Sequence, residues 1–352
     1  MGKLIVRIIG KNAAGGARKH AYQLNKTLEE KGFKTHTFIP TPPFEDVLSS
    51  AHKVPFQYEH SLEIWRLKQF LVNRQKDIAF VHSHLRNANI MAGCLTKKLK
   101  IPHVMTIHGP LFQPPKSLRD RLMISMLRGP MKRSAKTLFI SEFVQQEAYR
   151  HMGLCVEQVN GAVVYNGSDT EVTKRPSKAK TGPLKVCVVG ELTVRKNIPD
   201  LLWLADQVKT QGLNIEFHVY GKGPFEAALQ KHPGILYHGY EKNLEKIFSD
   251  KDLHLILSTN EGFGRVITEA MAFFVPTLCY RAGAFPEIIT NDVDGVLCDD
   301  RQHLLGQLGA LTKAKTASLG RAGNQTFHKR FTKDVFCSNT LSELKFLMKS
   351  SG

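Results

Sequence analysis

The stretch "LHLILSTNEGFGRVITEAMAFFVPTLCY", residues Leu253–Tyr280, decides how the rest of the chain is read. An apolar run ends in Ser258 and Thr259, turns through Asn260, Glu261, Gly262, Phe263 and Gly264, and continues from Arg265 to Phe274 with helical spacing. A buried strand, a glycine turn and a helix in succession form the unit from which parallel sheets are built. Glycines in such a turn let backbone N–H groups come close to a ligand, and the N-terminus of the following helix favours an anion such as phosphate. Glu269, in the second helical turn, can accept hydrogen bonds from a ribose diol, and Glu261, before the turn, from the hydroxyls of another sugar. Spacing alone leaves a second reading open, a helix cap beside a surface carboxylate.

The same rhythm extends in both directions. "LIVRIIG", "KTHTFIP", "IAFVHSH", "HVMTIHG" and "TLFIS" read as strands of a first half, with helices over 17–31, through "NIMAGCLTKKL" and over 142–151. "LKVCVVG", "IEFHVYG" and "ILYHG" precede the opening stretch in a second half. Between the halves, "TEVTKRPSKAKTGP" is polar, basic and proline-bearing, a linker composition. The expected fold class is α/β. Residues 1–169 and 184–330 would be two facing, doubly wound, Rossmann-like domains with a cleft between them, joined by the linker 170–183. A C-terminal helix over 331–352 is expected to pack back toward the N-terminal domain. Ligands of open parallel sheets gather at the carboxyl ends of the strands, so the turns there are where chemistry belongs.

Composition narrows the class. At 352 residues the chain exceeds one ordinary core. Its apolar start is short, is interrupted by Arg7 and runs into a glycine-rich turn, which reads as a first strand and not a leader. No apolar run approaches the ~20 residues that span a bilayer. The six cysteines form no CxxC pair and are expected to be reduced thiols of a cytosolic protein. The net charge of +18 is uneven: 25 Lys/Arg face 12 Asp/Glu up to Asp169, against 24 and 19 beyond it. That asymmetry points the first half toward something anionic, a membrane surface, a phosphorylated lipid or nucleic acid, or else marks a well-solvated face. Residues 116–136 interleave Leu118, Leu122, Met123, Met126 and Leu127 with seven Lys/Arg, as a helix lying on an anionic membrane or packed on its own domain would. Finger, helix-turn-helix and RNA-binding aromatic motifs are missing, so nucleic acid is set aside as a partner.

A diphosphate needs cations, and "VVGELTVRKNIPDLL" offers Arg195 and Lys196 after the first strand of the second half. In the first half, Gly15 and Gly16 of "IIGKNAAGGARKHAYQL" open a helix as a second backbone anion site, without the pattern of a P-loop or of GxGxxG. His82 and His84 alternate onto one strand face, as a metal pair or, with no third ligand at suitable spacing, a polar cleft wall at the strand end. "DVD", Asp292–Asp294, reads as a turn into a strand and not as a metal motif.

In this order the residues resemble the retaining glycosyltransferases of family four. The most specific element is the E-x7-E of Glu261 and Glu269. It is joined by the Gly15–Gly16 loop, "TIHG" with His108, "YNGSD" with Asn166 and Gly167, Lys196, "YGKGP" with Gly221 and Gly223, and "AGAFPEII" with Glu287. The resemblance implies the GT-B fold, a nucleotide-sugar donor held by the second domain, and an anionic or lipid-linked glycan acceptor at the first. It implies transfer with retention and no metal or other cofactor. His108, Glu261 and Lys196 would be catalytic. Gly15, Gly16, Arg195, Lys196, Gly262, Phe263, Gly264, Arg265 and Glu269 would bind the donor, Glu261 facing its sugar and Glu269 its ribose. The setting would be bacterial envelope polysaccharide or lipopolysaccharide synthesis, in the cytoplasm or peripherally on the inner face of the cytoplasmic membrane. The alternative is a sugar-nucleotide epimerase or phosphorylase of the same fold. Two departures stand out: Glu191 replaces the arginine of the family's "GRL", and Arg265 stands where an aliphatic residue is usual. Arg195 or Arg265 is therefore expected to supply the missing charge.

Overall fold

Among the residues that the computed structural model describes, 4–10, 16–38, 61–109, 118–172 and 181–349, the strands form two six-stranded sheets. The first contains β1 (Leu4–Ile9), β2 (Lys34–Phe38), β3 (Ile78–His84), β4 (His103–Ile107), β5 (Lys136–Phe139) and β6 (Gly161–Val163), in the order β2-β1-β3-β4-β5-β6. The second contains β7 (Leu184–Val189), β8 (Ile215–Tyr220), β9 (Ile235–Gly239), β10 (Leu253–Ile256), β11 (Thr277–Tyr280) and β12 (Gly295–Cys298), in the order β12-β11-β10-β7-β8-β9. Every strand pair is parallel. Met1–Gly167 with Lys333–Gly352 forms one compact unit and Ser168–Thr332 the other.

The strands are near-continuous apolar runs because both faces of a parallel sheet are covered. Alternation assigns their side chains to the two faces. Ile5, Phe80 and Val104 pack with Leu24 and Leu28 of the helix Gly16–Glu30 and with Phe336 and Leu344 of the helix Lys333–Lys349. Val6, Ile8 and Val81 pack on the opposite face with Leu67 and Leu71 of the helix Ser61–Asn73 and Ala88 and Ala92 of the helix Arg86–Leu99. Thus the last helix belongs to the unit that the chain built first. Ser168 pairs with Thr332 in an isolated bridge inside the second unit, and residues 173–180 of the linker lie outside the described residues.

Elements with no counterpart in the sequence reading include the helix Ser61–Asn73, the three-residue edge strand β6, the four-residue β11 behind Pro276, and the helices Phe285–Ile288, Arg301–Ala310 and Lys313–Arg330. The helix after the glycine turn stops at Ala272, and Phe274 takes a left-handed conformation, φ 58°, that ends it before the expected boundary. All six cysteines are unpaired and four are buried. No helix among the described residues is long and apolar enough to cross a membrane. Strand order reverses between β1 and β3 in one sheet and between β7 and β10 in the other, which are the switch points where such folds bind ligands.

Leu344 is fully buried, so Leu344→Ala should cost about 2–5 kcal/mol in urea unfolding, the range for an emptied core position. A loss below ~1 kcal/mol would mean that the terminal helix contributes little to the first unit.

Candidate functional site

The switch point of the second sheet is built from two loops. After β7, Gly190 at φ 148° donates its N–H to Tyr220 O at 3.0 Å, and Leu192 donates to Lys222 O at 2.9 Å. The "YGKGP" loop lies directly against this backbone: a Cβ at Gly221 would sit 1.8 Å from Gly190 O, and one at Gly223 2.5 Å from Leu192 O. Those glycines are there for close packing of one loop on another. The chain then makes a single 3-10 turn, Val194–Lys196, and enters the helix Ile198–Thr210. The turn directs Lys196 Nζ to donate to Glu261 Oε1. Arg195 Nη1 donates to the same oxygen at 3.3 Å, while its Nη2 donates to Glu191 Oε2 at 3.2 Å.

After β10, Leu257 and Ser258 are buried and the chain swings out to Glu261. Its backbone is clamped: Ala284 N–H donates to Glu261 O at 3.0 Å, and a Cβ at Gly283, φ 56°, would lie 2.6 Å from that oxygen. Phe263 turns inward, 3% exposed, with its ring 5.9 Å from that of Phe331. Its side chain is therefore core, and only its backbone can serve a ligand. Gly264, φ 79°, opens the helix Arg265–Ala272, and a Cβ there would be 2.9 Å from the Phe285 ring.

These pieces surround an open recess whose walls include Gly190, Glu191, Lys196, Glu261, Gly264 and Arg265. Arg265 is the informative member. Its Nη1 and Nη2 are buried and have no hydrogen-bond partner among the described residues. Buried donors of a cation without acceptors are costly, so the site is suited to an anion that supplies them. Behind the recess on β10, burial and the charge of Lys196 push His254 down to about 3, which keeps it neutral. Its Nδ1 lies 3.0 Å from Thr277 Oγ1.

Not every expected residue joins the recess. Glu269 is half-buried one helical turn beyond Arg265 and is not part of the wall. Gly16 begins the helix Gly16–Glu30 in the first unit, and Gly15 lies outside the described residues. Asp294 accepts hydrogen bonds from Thr290 N–H at 2.7 Å and Thr326 Oγ1 at 2.8 Å, which fixes it in the turn before β12. Among the described residues no group of three or more His, Cys, Asp or Glu is placed to hold a metal ion.

His108 follows β4 in the first unit, where the expected polar wall needs correction. His82 and His84 are fully buried, because their strand face is covered by helices. His82 Nε2 is 2.8 Å from Thr106 Oγ1, and His84 Nδ1 is 2.9 Å from His108 Nε2. Arg7, fully buried on the same face, donates from Nη1 to His84 Nε2 at 3.3 Å. Sequence reading passed over Arg7 as an interruption in an apolar strand. The signal was the alternation, which sets Arg7 opposite His82 and His84 opposite Thr106.

Comparison with known proteins gives a consistent result. Residues 169–309 match the family model described as glycosyl transferases group 1, and residues 14–172 match that described as glycosyltransferase family 4. The chain is 22% identical over 367 residues to the N-acetyl-alpha-D-glucosaminyl L-malate synthase of Bacillus anthracis, with 96% of this chain and 95% of that one covered. Its fold resembles that of Anabaena Alr3699/HepE in complex with UDP and glucose, at a TM-score of 0.78 and 17% identity over 98% of this chain and all of that one. It also resembles the lipopolysaccharide outer core galactosyltransferase WaaB in its apo form, at 0.74 and 15% over 97% and 99% of the two chains.

The close approach of the two loops can be tested alone. Gly221→Ala sets a Cβ against a backbone oxygen at φ 149° and should destabilise the protein by more than about 2 kcal/mol in urea unfolding. Near-wild-type stability would mean that the loops separate without cost.

Proposed function

The chain belongs to glycosyltransferase family four and has the GT-B fold, and from that premise we propose that it transfers a sugar from a nucleotide-sugar donor to a glycan or lipid-linked acceptor with retention of configuration. The observation that carries the donor assignment is Arg265 Nη1 and Nη2, buried and without hydrogen-bond partners among the described residues, beside Lys196 at the β7/β10 switch point. A donor diphosphate supplies the acceptors that Arg265 lacks. Arg265 thus provides the charge that the family's arginine gives at the position of Glu191. The amides at the N-terminus of the helix Arg265–Ala272 add their partial positive charge.

Binding involves an exchange of partners. Lys196 leaves the Glu261 carboxylate for a phosphate oxygen, and Glu261 is released toward the hydroxyls of the donor sugar. As the sugar–oxygen bond breaks, negative charge grows on the diphosphate, and fixed cations and amides stabilise it most at that moment. Lys196 and Arg265 take the place that a metal ion has in other transferases. The departing phosphate takes the acceptor proton, and the acceptor attacks the face that the diphosphate leaves. Glu269 accepts from the ribose diol, and His108 contacts a sugar. UDP bound to the Anabaena protein supports a uridine nucleotide.

A calorimetric panel of UDP, GDP, ADP and pyrophosphate, run in EDTA, tests this reading. Arg265→Leu should weaken every ligand by roughly 1.5–3 kcal/mol, or about tenfold to 150-fold, the value of hydrogen bonds to a charged group. Glu269→Ala should weaken the nucleoside diphosphates by a similar amount and leave pyrophosphate unchanged. Equal losses for pyrophosphate and nucleotides in Glu269→Ala would remove the ribose assignment, and binding that vanishes in EDTA would overturn the metal-free mechanism.

The acceptor side carries the charge. In the helix Leu118–Arg133, the side chains Leu118, Leu122 and Met126 are 82%, 61% and 46% exposed at intervals of one turn, and Arg121, Lys132 and Arg133 are exposed too. This supports docking on an anionic bilayer, where each Lys or Arg contributes about 1 kcal/mol. The protein should sediment with anionic vesicles at low salt, ignore neutral ones and come free near ~0.5 M salt. Neutralising Arg121, Lys132 and Arg133 should weaken sedimentation without changing nucleotide binding. Failure with anionic vesicles at low salt would transfer the role of this charge to a soluble anionic acceptor.

A further inference from the structure

On one face of the first sheet, Arg7 of β1, His84 of β3 and His108 after β4 form a line of hydrogen bonds whose direction can be worked out. Arg7 Nη1 lies 3.3 Å from His84 Nε2, and His84 Nδ1 lies 2.9 Å from His108 Nε2. A guanidinium only donates. Burial pushes Arg7 down to about 9, with Cys337 and Glu29 opposing the shift, so it is still a cation at neutral pH. His84 Nε2 must then accept. A neutral ring that accepts at Nε2 carries its proton at Nδ1, and so donates to His108 Nε2. That nitrogen in turn is an acceptor, which leaves the His108 proton on Nδ1.

We propose that Arg7 and His84 are positioning residues that hold His108 as the neutral Nδ1–H tautomer, so that His108 meets its substrate as a hydrogen-bond donor and not as a base. Arg7 fixes the direction of the line, because it is the one member that cannot reverse its role. A second observation supports the assignment. Arg7 is 0% exposed, and its Nε and Nη2 have no hydrogen-bond partner among the described residues. A methionine would fill this buried position at lower cost, since replacing buried charges by hydrophobes of similar size is often neutral or stabilising. An arginine kept there at a cost to stability serves something other than packing. The His82 ring lies tilted against that of His84, 4.2 Å between centroids at 34°, and its Nε2 lies within hydrogen-bond distance of Thr106 Oγ1, so the ring of His84 is also held from the side.

The consequence for chemistry rests on the reading that His108 contacts sugar. A ring fixed as Nδ1–H offers that proton to a lone pair, such as a hydroxyl or ring oxygen, and cannot take a proton at Nε2 while His84 donates there. The tautomer itself can be tested without substrate. Long-range proton–nitrogen spectra of the ligand-free full chain, with histidine labelled, distinguish a protonated Nδ1 from a protonated Nε2. For the wild type, His108 should show Nδ1 protonated and Nε2 bare. In Arg7→Met the line loses its fixed end, and His108 should redistribute to a mixture of both tautomers, with a melting temperature equal to or above that of the wild type. Arg7→Lys, which keeps a donor, should restore the original signature at least in part.

Turnover of UDP-glucose without acceptor supplies a second readout. Arg7→Met should lower kcat about tenfold to a hundredfold, the cost of a misplaced contact group, with KM within about twofold. A wild-type His108 protonated at Nε2, or a spectrum that Arg7→Met leaves unchanged, overturns the proposal. If the spectra behave as expected while His108→Ala turns over UDP-glucose normally, the line of hydrogen bonds stands and the sugar-contact role of His108 is what fails.

Discussion

The second unit depends on one carboxylate. Glu261 accepts from Lys196 and Arg195 at a single oxygen, while its own carbonyl is tied to Ala284. The acid side chain is only 16% exposed and that of Lys196 25%, so the pair is more than a surface contact, whose usual worth is about 0–1 kcal/mol. Before any ligand arrives, the carboxylate holds the cations at the mouth of β7 and β10. A phosphate oxygen is the same kind of partner. Exchanging one for the other keeps the number of charge-assisted hydrogen bonds constant, so the pair can open at small net cost and still be well ordered beforehand.

The rest of the unit fixes where that carboxylate stands. Gly283 allows the loop before Phe285 to lie against the Glu261 backbone, Gly264 allows the helix Arg265–Ala272 to begin beside Phe285, and Gly221 admits the carbonyl of Gly190. Each of these positions has a positive φ and a neighbour where a Cβ would sit. Phe263 anchors the turn from below, against Phe331. A site on loops is less precise than one on helices or strands unless packing locks it, and here contacts on both sides of the loops supply that packing.

Much of this was legible in the residues. The glycine turn after an apolar run, with Glu261 before it, pointed to the end of β10 where the recess lies, because a strand, a turn and a helix leave local patterns, whereas Glu269 stands outside the wall. Arg265 could be proposed as the compensating cation from its place after Gly264, although only the structure shows that its nitrogens are buried without partners. The burial of the Phe263 ring was not legible for a physical reason: within the turn it is aimed by the later chain, at Phe331, and nothing local specifies that. His82 and His84 were correctly set on one face, yet their burial depends on Phe336 and Leu344, which come some 250 residues later. The edge strand β6 and the helix Lys313–Arg330 escaped because a three-residue run and a polar helix carry little periodic signal.

Among the described residues, an arginine with buried nitrogens that lack hydrogen-bond partners lies close to the switch point of each sheet, Arg7 beside β3 and Arg265 after β10. The two are different solutions to the same electrostatic problem. Arg265 lines an open recess, so an anion bound there would offset the cost of desolvating it and would stabilise the protein with the logarithm of the anion concentration. Arg7 is sealed at 0% exposure and gains nothing from a ligand in that recess. Its cost is permanent, and its one hydrogen bond among the described residues ends on a histidine. A permanent charge in an apolar layer keeps a constant field on its neighbour. That property suits the holding of a proton in one place better than the binding of a substrate that comes and goes.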